Sequence, residues 1–476
     1  MRIATLVFCW LLAVPAAAVD FGDLTEQLAS GQFGSIKAVV IAHGGEVVYE
    51  EYFRGTQRDD LHHVHSVTKS VGSTLVGIAH GQGRIDLDTP LLDLFSAYYP
   101  MQNAPYLDKR HITVEQVLQQ RHGVDVNEWE TDYRDPANPI SAAINSGDWY
   151  RWFLRQPMEA QPGTLYRYST LASNLMSRMI RVSTGQGPAE FAEAELFGPL
   201  GIENYRFEGW SGDGQGWTDW PNPDEDEPLG FTLQLRPLDM LKIGQLYLDG
   251  GVWDGQRILT EEWIRRAWTT YSNPENTTLF QGSPDSGYGY QWWKQRVDDQ
   301  RGRRIANYYA SGWARQHIMV MPELDLVVVS VSDDYDYRGS GIGVLLRNTI
   351  LVALDPIFDE RYNGAWYDPA MPGQGLTLET LADGKTVVGF WYTWDDDGQQ
   401  RWFIMNGQAE GSTVTLSVTE TRGGRFLQAD PVEETEWATA TLQTVDCDRL
   451  AMQVSGPEVD ALVPLVRLTG ECLANP

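Results

Sequence analysis

The chain has 476 residues, of which 42% are hydrophobic, and its 36 basic and 65 acidic side chains give a formal net charge of −29 at pH 7. This length and apolar share allow two or three globular domains with a sizeable core. The acidic balance argues against nucleic acid and anionic membranes as partners, because both are recognised by basic patches.

The first residues, "MRIATLVFCWLLAVPAAAVD", are typical of a secretory signal peptide over residues 1–18. Arg2 supplies the positive start, an apolar run follows, and Ala16 to Ala18 are the small residues expected before a cleavage site. A membrane anchor is the alternative, but the apolar run is short for a span of about 20 residues. The segment therefore predicts a secreted or periplasmic (bacterial) protein with no membrane span.

Two cysteines, Cys447 and Cys472, remain once the signal peptide with Cys9 is removed. An even number of cysteines in an oxidising compartment predicts one disulfide between them. Two free buried thiols are the alternative, and neither residue is assigned any chemistry.

The first predicted domain, residues 19–357, has strands at both ends and helices between them. A β-hairpin is predicted over residues 36–55, because two β-rich runs flank the turn signal Gly44-Gly45. Each of the helices that follow has a suitable cap or start: they are predicted after Ser66, after Thr113, from Pro188, over "PLDMLKIGQLYLDGG" and after Thr260.

Strands return near the end of this domain. "YGYQWW" and "NYYASG" are aromatic and β-prone, and "RQHIMVMPELDLVVVSVS" indicates a hairpin that turns at Pro322-Glu323. The apolar run from Leu326 to Val331 indicates a strand buried on both faces, and "GIGVLLRNTILVAL" predicts a closing helix. The order predicts an α/β (α+β) fold, in which both ends of the domain contribute to one sheet with helices on its faces and a helical insert.

Beyond residue 358, aromatic and β-branched residues alternate between turns such as Asp383-Gly384 and Asp397-Gly398. These signals predict a separate all-β module over residues 361–476. Its Trp and Tyr side chains could pack in the core or stack against cell-wall or other glycans, and both alternatives remain open.

The stretch "HSVTKS" is the first sign of catalytic chemistry, because Ser66 and Lys69 stand three residues apart at a predicted helix start. Residues at this spacing share a helix face, so the lysine could be the base that a serine nucleophile needs. Ser66 would also lie at the positive end of the helix dipole. The alternative is a helix-capping serine beside a solvated lysine, and the motif alone does not decide between them.

A candidate proton relay follows in "PGTLYRYSTLASNLMSRMI", where Tyr168 comes after the turn at Pro162-Gly163 and before a helix. A tyrosine hydroxyl beside Lys69 could pass a proton toward Ser66 or toward a leaving group. A core tyrosine bonded to the backbone is the alternative, and it is favoured for an isolated tyrosine.

A candidate oxyanion site lies in "YYASGWARQHIMVM", where Ser311-Gly312 ends a β-prone run. Gly312 would allow a ligand to approach the backbone closely. The amide of Trp313 could then complete an oxyanion hole with the amide of Ser66. An ordinary glycine turn between two strands is the alternative.

In this order, Ser66-x-x-Lys69, Tyr168-x-Thr170 and Ser311-Gly312 resemble the motifs of one family of serine hydrolases. Its members are related to class C β-lactamases, penicillin-binding DD-peptidases, family VIII esterases and 6-aminohexanoate-dimer hydrolases. Segments such as "VHSVTKSVGSTLVGIA" and "EAQPGTLYRYSTLASNLMSRMI" extend the likeness over roughly residues 30–355. The resemblance implies a β-lactamase/transpeptidase-like antiparallel sheet flanked by helices, with a helical subdomain.

The resemblance also implies roles for the residues that match. Ser66 would be the acylated nucleophile, and Lys69 and Tyr168 would transfer protons. The amides of Ser66 and Trp313 would bind the oxyanion. No cofactor and no metal are implied, while Asn174 lies in a Ser-Asn-Leu segment typical of the esterase and amidase-like branch without an assigned contact.

Two motifs differ from those of class C β-lactamases, and one of them bears on which substrate can bind. Those enzymes have Lys-Thr-Gly where this chain has Ala310-Ser311-Gly312, and Asn where it has Thr170. Their lysine helps to bind a substrate carboxylate, so Ala310 favours a small neutral ester or amide. The alternatives are a β-lactamase or D,D-peptidase, and a non-catalytic protein that binds the cell wall or glycans. Arg315 could supply the missing charge or lie exposed on the surface.

Other polar clusters are interpreted without catalysis. His62, His63 and His65 precede the nucleophile, but no carboxylate cluster at ligand spacing accompanies them, so tuning or packing is favoured over a metal site. The stretch "NPDEDEP", residues 222–228, is interpreted as a solvated acidic loop, with a calcium site as the alternative.

Overall fold

The structure is a computed structural model that describes residues 21–469, with gaps at 97–105, 134, 211–215, 273–285, 299–303, 338–340, 355–357, 396, 425–427, 430 and 446–447. The chain divides into two compact units: the first spans residues 23–351, and the second begins at residue 352. The predicted signal peptide and the predicted Cys447–Cys472 disulfide lie outside the described residues. Among the described helices, none combines the length and apolar character that crossing a membrane requires.

Several helices of the first unit begin after a residue whose side chain accepts a hydrogen bond from a free N–H group of the first turn. Thr113 forms a full capping box with Gln116, and Ser169 and Thr260 cap the helices that follow them. The bounds are α1 Gly22–Ser30, α2 Val67–Gly81, α3 Val114–Leu118, α4 Pro139–Asn145, α5 Trp149–Leu154, α6 Thr170–Thr184, α7 Pro188–Ala192, α8 Pro237–Leu248, α9 Glu261–Ala267, α10 Ile342–Leu345 and α11 Leu351–Leu354. The predicted closing helix is interrupted, because a wider helical turn at Leu346–Ile350 separates α10 from α11.

The strands of this unit are β1 Ile36–His43, β2 Glu46–Tyr52, β3 His62–His63, β4 Tyr205–Phe207, β5 Gly209–Trp210, β6 Gly216–Trp217, β7 Leu233–Leu235, β8 Val252–Trp253, β9 Gln256–Arg257, β10 Gly287–Tyr288, β11 Trp293–Asp298, β12 Arg304–Gly312, β13 Gln316–Met321 and β14 Leu326–Ser332. Seven of them form an antiparallel sheet in the order β10-β11-β12-β13-β14-β1-β2. Val39 of β1 pairs with Ser330 of β14, so both ends of the unit meet in one sheet, as predicted. Every residue of β14 is buried, which confirms the strand with two covered faces.

The start of α2 is held where several elements meet. Helix α8 packs on β13, β14 and β1, while α2 packs on α6 and β12. The segment just before α2 is fixed by the small sheet β3-β7-β4, in which His62 pairs with Leu235 and the Val64 N–H donates to the Leu233 carbonyl at 3.0 Å. The arrangement confirms the predicted α/β (α+β) class and brings α2, α6 and β12 together around Ser66.

The second unit is a closed barrel, which confirms the predicted all-β module. Its antiparallel strands are β15 Gly364–Tyr367, β16 Gly375–Thr380, β17 Thr386–Trp394, β18 Gln400–Glu410, β19 Thr413–Arg422, β20 Glu433–Thr444, β21 Arg449–Gly456 and β22 Val459–Arg467. Each pairs with the next, and β15 closes the barrel on β22 through Trp366 opposite Arg467. Buried side chains such as Trp366, Phe403 and Met405 fill the interior.

Four large aromatic side chains lie on the outer surface of this barrel. Phe390, Tyr392 and Trp394 occupy alternate positions of β17 and are 40%, 49% and 42% exposed. Trp402 of β18 pairs directly with Tyr392 and is 49% exposed. Of the two alternatives for the aromatic residues, core packing therefore applies to the inner set, and these four are left facing outward.

Candidate active site

Ser66 stands directly before α2, and the preceding residue His65 has a left-handed backbone conformation with φ 47°. The Ser66 side chain makes no helix-capping hydrogen bond. Its hydroxyl oxygen instead lies within hydrogen-bonding distance of the Lys69 amine, with Nζ and Oγ 2.8 Å apart. Ser66 is also partly exposed, so a substrate can reach it. The alternative of a helix-capping serine is therefore wrong.

Lys69 is almost completely buried, with 1% of the residue exposed. Besides Ser66, its amine contacts the Thr170 hydroxyl at 3.0 Å and the Gly230 carbonyl at 2.7 Å. Burial lowers the pKa of Lys69 to about 7, because the ammonium loses its hydration, and the charge of Glu128 opposes this shift. The alternative of a solvated lysine is wrong, and the amine can act as a base near neutral pH.

Tyr168 is buried between two indole rings. Trp129 stacks on it with ring centroids 5.0 Å apart, and Trp293 stacks at 5.8 Å. The Lys69 Nζ lies 5.0 Å from the Tyr168 ring centroid. Burial raises the pKa of Tyr168, and a hydrogen bond with Ser66 opposes this shift only in part. The phenol therefore stays protonated near neutral pH and can donate a proton.

Glu128 is a buried carboxylate for which sequence reasoning found no role. Its Oε1 accepts from the Thr170 hydroxyl at 2.8 Å and from the Tyr133 hydroxyl at 2.9 Å, and its Oε2 accepts from the Thr170 N–H at 2.5 Å. Burial raises the pKa of Glu128, whereas the charge of Lys69 and these hydrogen bonds lower it. Glu128 is one of three acidic residues in "VNEWETDY", and nothing in the sequence distinguishes it from a solvated carboxylate.

Gly312, at the end of β12, lies against the backbone around the nucleophile. A Cβ added at Gly312 would lie 2.2 Å from the Val64 carbonyl oxygen and 3.2 Å from the Ser66 nitrogen. Ser311 is buried in the same strand. The close approach brings the chain leading to Trp313 next to the Ser66 N–H, and the oxyanion role of the two amides stays a prediction.

The Trp313 side chain belongs to an aromatic cluster beside the nucleophile. Its ring centroid lies 5.6 Å from that of His65, 5.6 Å from that of Tyr133 and 5.0 Å from that of Tyr335. His65 Nε2 is 3.3 Å from the Tyr335 hydroxyl, and burial lowers the pKa of His65 to about 3. His65 is therefore a neutral packing residue, in agreement with the packing role that the sequence favours.

The described residues contain no group of three or more His, Cys, Asp and Glu side chains that could hold a metal ion. In the 222–228 segment, Asp224 and Asp226 pair with Arg178 and Arg181. Asp226 is fully buried, so the solvated-loop interpretation is wrong for this residue. The paired arginines instead tie the segment to α6.

Two further sequence candidates are placed as follows. Arg315 pairs with Asp334, with Nε and Oδ2 2.7 Å apart, and its side chain is only 14% exposed, so the surface-exposed alternative is wrong. Asn174 is fully buried on α6, and neither of its side-chain polar atoms has a hydrogen-bond partner among the described residues. Its Oδ1 lies 2.4 Å from the place of a Cβ at Gly230, so this glycine leaves room for Asn174.

A family model described as beta-lactamase matches residues 24–340. The chain belongs to the beta-lactamase family. The match spans the main sheet and all the predicted site residues, and it confirms the resemblance and the fold. Enzymes of this family are hydrolases, and the sheet and helices described above are those of a beta-lactamase-fold hydrolase.

One sequence relative and two solved structures illustrate what this beta-lactamase family member is similar to. The 6-aminohexanoate-dimer hydrolase of Paenarthrobacter ureafaciens is 25% identical over 361 residues, which are 71% of this chain and 83% of the relative. The octameric penicillin-binding protein homologue from Pyrococcus abyssi covers 94% of this chain and 100% of its own, with 16% identity and a TM-score of 0.51. The D-stereospecific amidohydrolase from Streptomyces sp. covers 66% and 95%, with 17% identity and a TM-score of 0.50. The two structural matches support the fold alone.

Proposed function

We propose that this protein is a serine hydrolase that cleaves small neutral esters or amides through an acyl-enzyme intermediate. The contact between Ser66 and Lys69 carries the proposal: a buried amine with a pKa of about 7 lies 2.8 Å from a partly exposed hydroxyl. A serine hydroxyl needs an adjacent base to become a good nucleophile, and a desolvated lysine can be that base.

The reaction has an acylation half and a deacylation half. Ser66 Oγ bonds to the carbonyl carbon while its proton passes to the neutral Lys69 amine, and the amides of Ser66 and Trp313 donate to the oxyanion. The C–O or C–N bond then breaks, and the leaving group takes a proton from Tyr168, which the Lys69 ammonium replaces. Water next attacks the acyl carbon, the acid leaves, and Ser66 recovers its proton.

The surroundings of Ser66 support a neutral substrate with an apolar part. Ala310 stands where class C β-lactamases have a lysine, and the charge of Arg315 is balanced by Asp334. Trp129, stacked on the site tyrosine and 45% exposed, offers apolar surface beside the reacting groups. The name 6-aminohexanoate-dimer hydrolase, borne by a relative that is 25% identical, supports an amide substrate.

Replacement of Ser66 by alanine tests the nucleophile. We expect the wild-type chain to hydrolyse p-nitrophenyl acetate and butyrate and to be labelled by a fluorophosphonate, and Ser66→Ala to lose both activities, because no hydroxyl remains to be acylated. Ser30→Ala, at an exposed serine of α1, is the control and should behave as wild type. Ester turnover that survives in Ser66→Ala would contradict the assignment.

The same assay separates the alternative functions. A chromogenic cephalosporin and a D-Ala-D-Ala peptide should be poor substrates, because the site offers alanine at the position of the carboxylate-binding lysine. Rapid turnover of either would favour the β-lactamase or D,D-peptidase alternative. A folded wild-type chain with no turnover and no labelling would favour a non-catalytic protein that binds the cell wall or glycans.

The four exposed aromatic side chains of the barrel, Phe390, Tyr392, Trp394 and Trp402, support a second role. This role is contact with cell-wall or other glycans at a secreted or periplasmic location. The C–H face of a pyranose ring packs well on an exposed aromatic ring. We expect the protein to co-sediment with insoluble peptidoglycan, and a Tyr392→Ala/Trp402→Ala variant to stay in solution. Leu462→Ala, at a side chain of β22 that is 68% exposed, is the control. Equal sedimentation of the aromatic variant would contradict this role.

A further inference from the structure

A chain of hydrogen bonds links Lys69 through Thr170 to Glu128, for which no contact with Ser66 is found among the described residues. The Thr170 hydroxyl lies between the Lys69 amine, at 3.0 Å, and Glu128 Oε1, at 2.8 Å. A hydroxyl has one proton, so it can donate to only one of these two neighbours. Which one it chooses decides whether Lys69 donates to Thr170 or accepts from it.

Glu128 resolves this choice. The Lys69 charge and the hydrogen bonds from Thr170 and Tyr133 favour the ionised form of Glu128 against burial. In that form the carboxylate is only an acceptor, and the other two groups that reach it are donors: the Thr170 N–H and the Tyr133 hydroxyl. The Thr170 hydroxyl must therefore send its proton to Glu128, and its oxygen must accept from Lys69. The third partner of the amine, the Gly230 carbonyl, is an acceptor at 2.7 Å and can be nothing else.

A neutral amine has two N–H bonds and one lone pair. Thr170 and Gly230 take the two N–H bonds, so the lone pair is left for the third neighbour, the Ser66 hydroxyl 2.8 Å away. This is the orientation in which Lys69 can remove the Ser66 proton. We propose that Glu128 is a positioning residue that acts through Thr170 to aim the lone pair of Lys69 at Ser66, an inference that rests on the proposed function.

The charge of Glu128 has a second effect, on the pKa of Lys69. Burial lowers the pKa of Lys69, and the charge of Glu128 raises it again to about 7. Two other titratable groups among the described residues face the amine, and both are neutral near this pH: burial raises the pKa of Tyr168 and lowers that of His65 to about 3. Glu128 therefore supplies the charge to which the Lys69 pKa responds.

The substitution Glu128→Gln keeps the shape of the side chain but reverses the direction of its hydrogen bond with the Thr170 hydroxyl. The Thr170 N–H can only donate, so it will face the amide oxygen, and the amide nitrogen will take the place of Oε1. That nitrogen donates to the Thr170 hydroxyl, which then turns its proton toward the lone pair of Lys69. We expect kcat/KM for p-nitrophenyl butyrate to fall by about 10²-fold or more, with the loss mainly in kcat.

The pH profile separates positioning from mere support of the fold. In the wild type, the acid limb of kcat/KM is expected near pH 7, where Lys69 gains its proton. Glu128→Gln removes the negative charge that raises the pKa of Lys69, so the acid limb of its residual activity should move to lower pH. Glu130→Gln changes an exposed carboxylate two residues away and should leave both the rate and the limb unchanged.

Substitutions at Thr170 provide an independent arm in case Glu128→Gln folds poorly, which near-UV circular dichroism and thermal unfolding would reveal. Thr170→Ser keeps the hydroxyl and should remain active, whereas Thr170→Val has the same shape without the hydroxyl and should lose about 10²-fold. In the Thr170→Val background, Glu128→Gln should cost little more, because the connection to Lys69 is already broken.

Three results would overturn the inference: wild-type rate and acid limb in Glu128→Gln, equal activity of Thr170→Val and Thr170→Ser, or additive losses in the double variant. The last is the pattern of two residues that only support the fold. Turnover that requires Ser66 but not Glu128 would remove this inference and leave the proposed function intact. A wild-type chain without Ser66-dependent turnover would instead remove the proposed function.

Discussion

Lys69→Met is expected to lower kcat/KM for nitrophenyl esters by about 10³-fold, because it removes the base for Ser66 and keeps a side chain of similar length. The Lys69 amine contacts Ser66 Oγ at 2.8 Å. Without it, Ser66 loses the base that accepts its proton. Tyr168 also loses the ammonium that restores its proton after it has protonated the leaving group. Steady-state kinetics and the rate of fluorophosphonate labelling measure the effect.

The matched control is Lys385→Met, the same substitution at an exposed lysine of the barrel. It should leave kcat/KM and the labelling rate unchanged. Lys69→Arg is a sharper comparison: it keeps a cation, but a guanidinium does not deprotonate near neutral pH and cannot serve as the base. If Lys69→Met retained activity within about tenfold of the wild type, another group would have to accept the serine proton.

Gly312→Ala is expected to lower kcat/KM by about 10²-fold to 10³-fold, because β12 cannot stay beside the nucleophile once it carries a Cβ. The added atom would lie 2.2 Å from the Val64 carbonyl oxygen and 3.2 Å from the Ser66 nitrogen. Both are backbone atoms, so no side chain can rotate to make room. The strand end must move away, and the Trp313 amide moves with it.

Kinetics on a rapidly acylating ester, together with thermal unfolding, separate this loss from misfolding. Gly424→Ala is the control, because a Cβ there would make only an ordinary contact, 3.4 Å from Val432 Cγ1. Gly312→Ala should be folded and bind substrate, yet turn it over slowly. A folded Gly312→Ala variant with the wild-type kcat would show that the end of β12 does not contribute to the oxyanion hole.

Local signals predicted much of the scaffold. Gly44-Gly45 marked the first hairpin, Thr113 and Thr260 capped the predicted helices, and the apolar run from Leu326 to Val331 became the doubly buried β14. The interruption of the closing helix could not be predicted, because the wider turn at Leu346–Ile350 contains neither glycine nor proline. Such a departure depends on packing rather than on local preference.

At the site, the sequence named Ser66, Lys69 and Tyr168 but misjudged the importance of their neighbours. Thr170 counted there as a missing asparagine, yet its hydroxyl accepts from Lys69 and donates to Glu128. Glu128 itself is 42 residues from Thr170 in sequence, and only folding brings the two together. A buried carboxylate is identified by its surroundings, which a single sequence does not contain.

Closure of the barrel has a consequence for how this unit can associate. An open sheet ends in strands with unpaired N–H and C=O groups, and another extended chain can add to such an edge. The pairing of Trp366 with Arg467 joins β15 to β22, so the described strands form a ring without a terminal strand. The barrel therefore cannot associate or aggregate by adding a strand to an edge, and it must recognise a partner through its side chains.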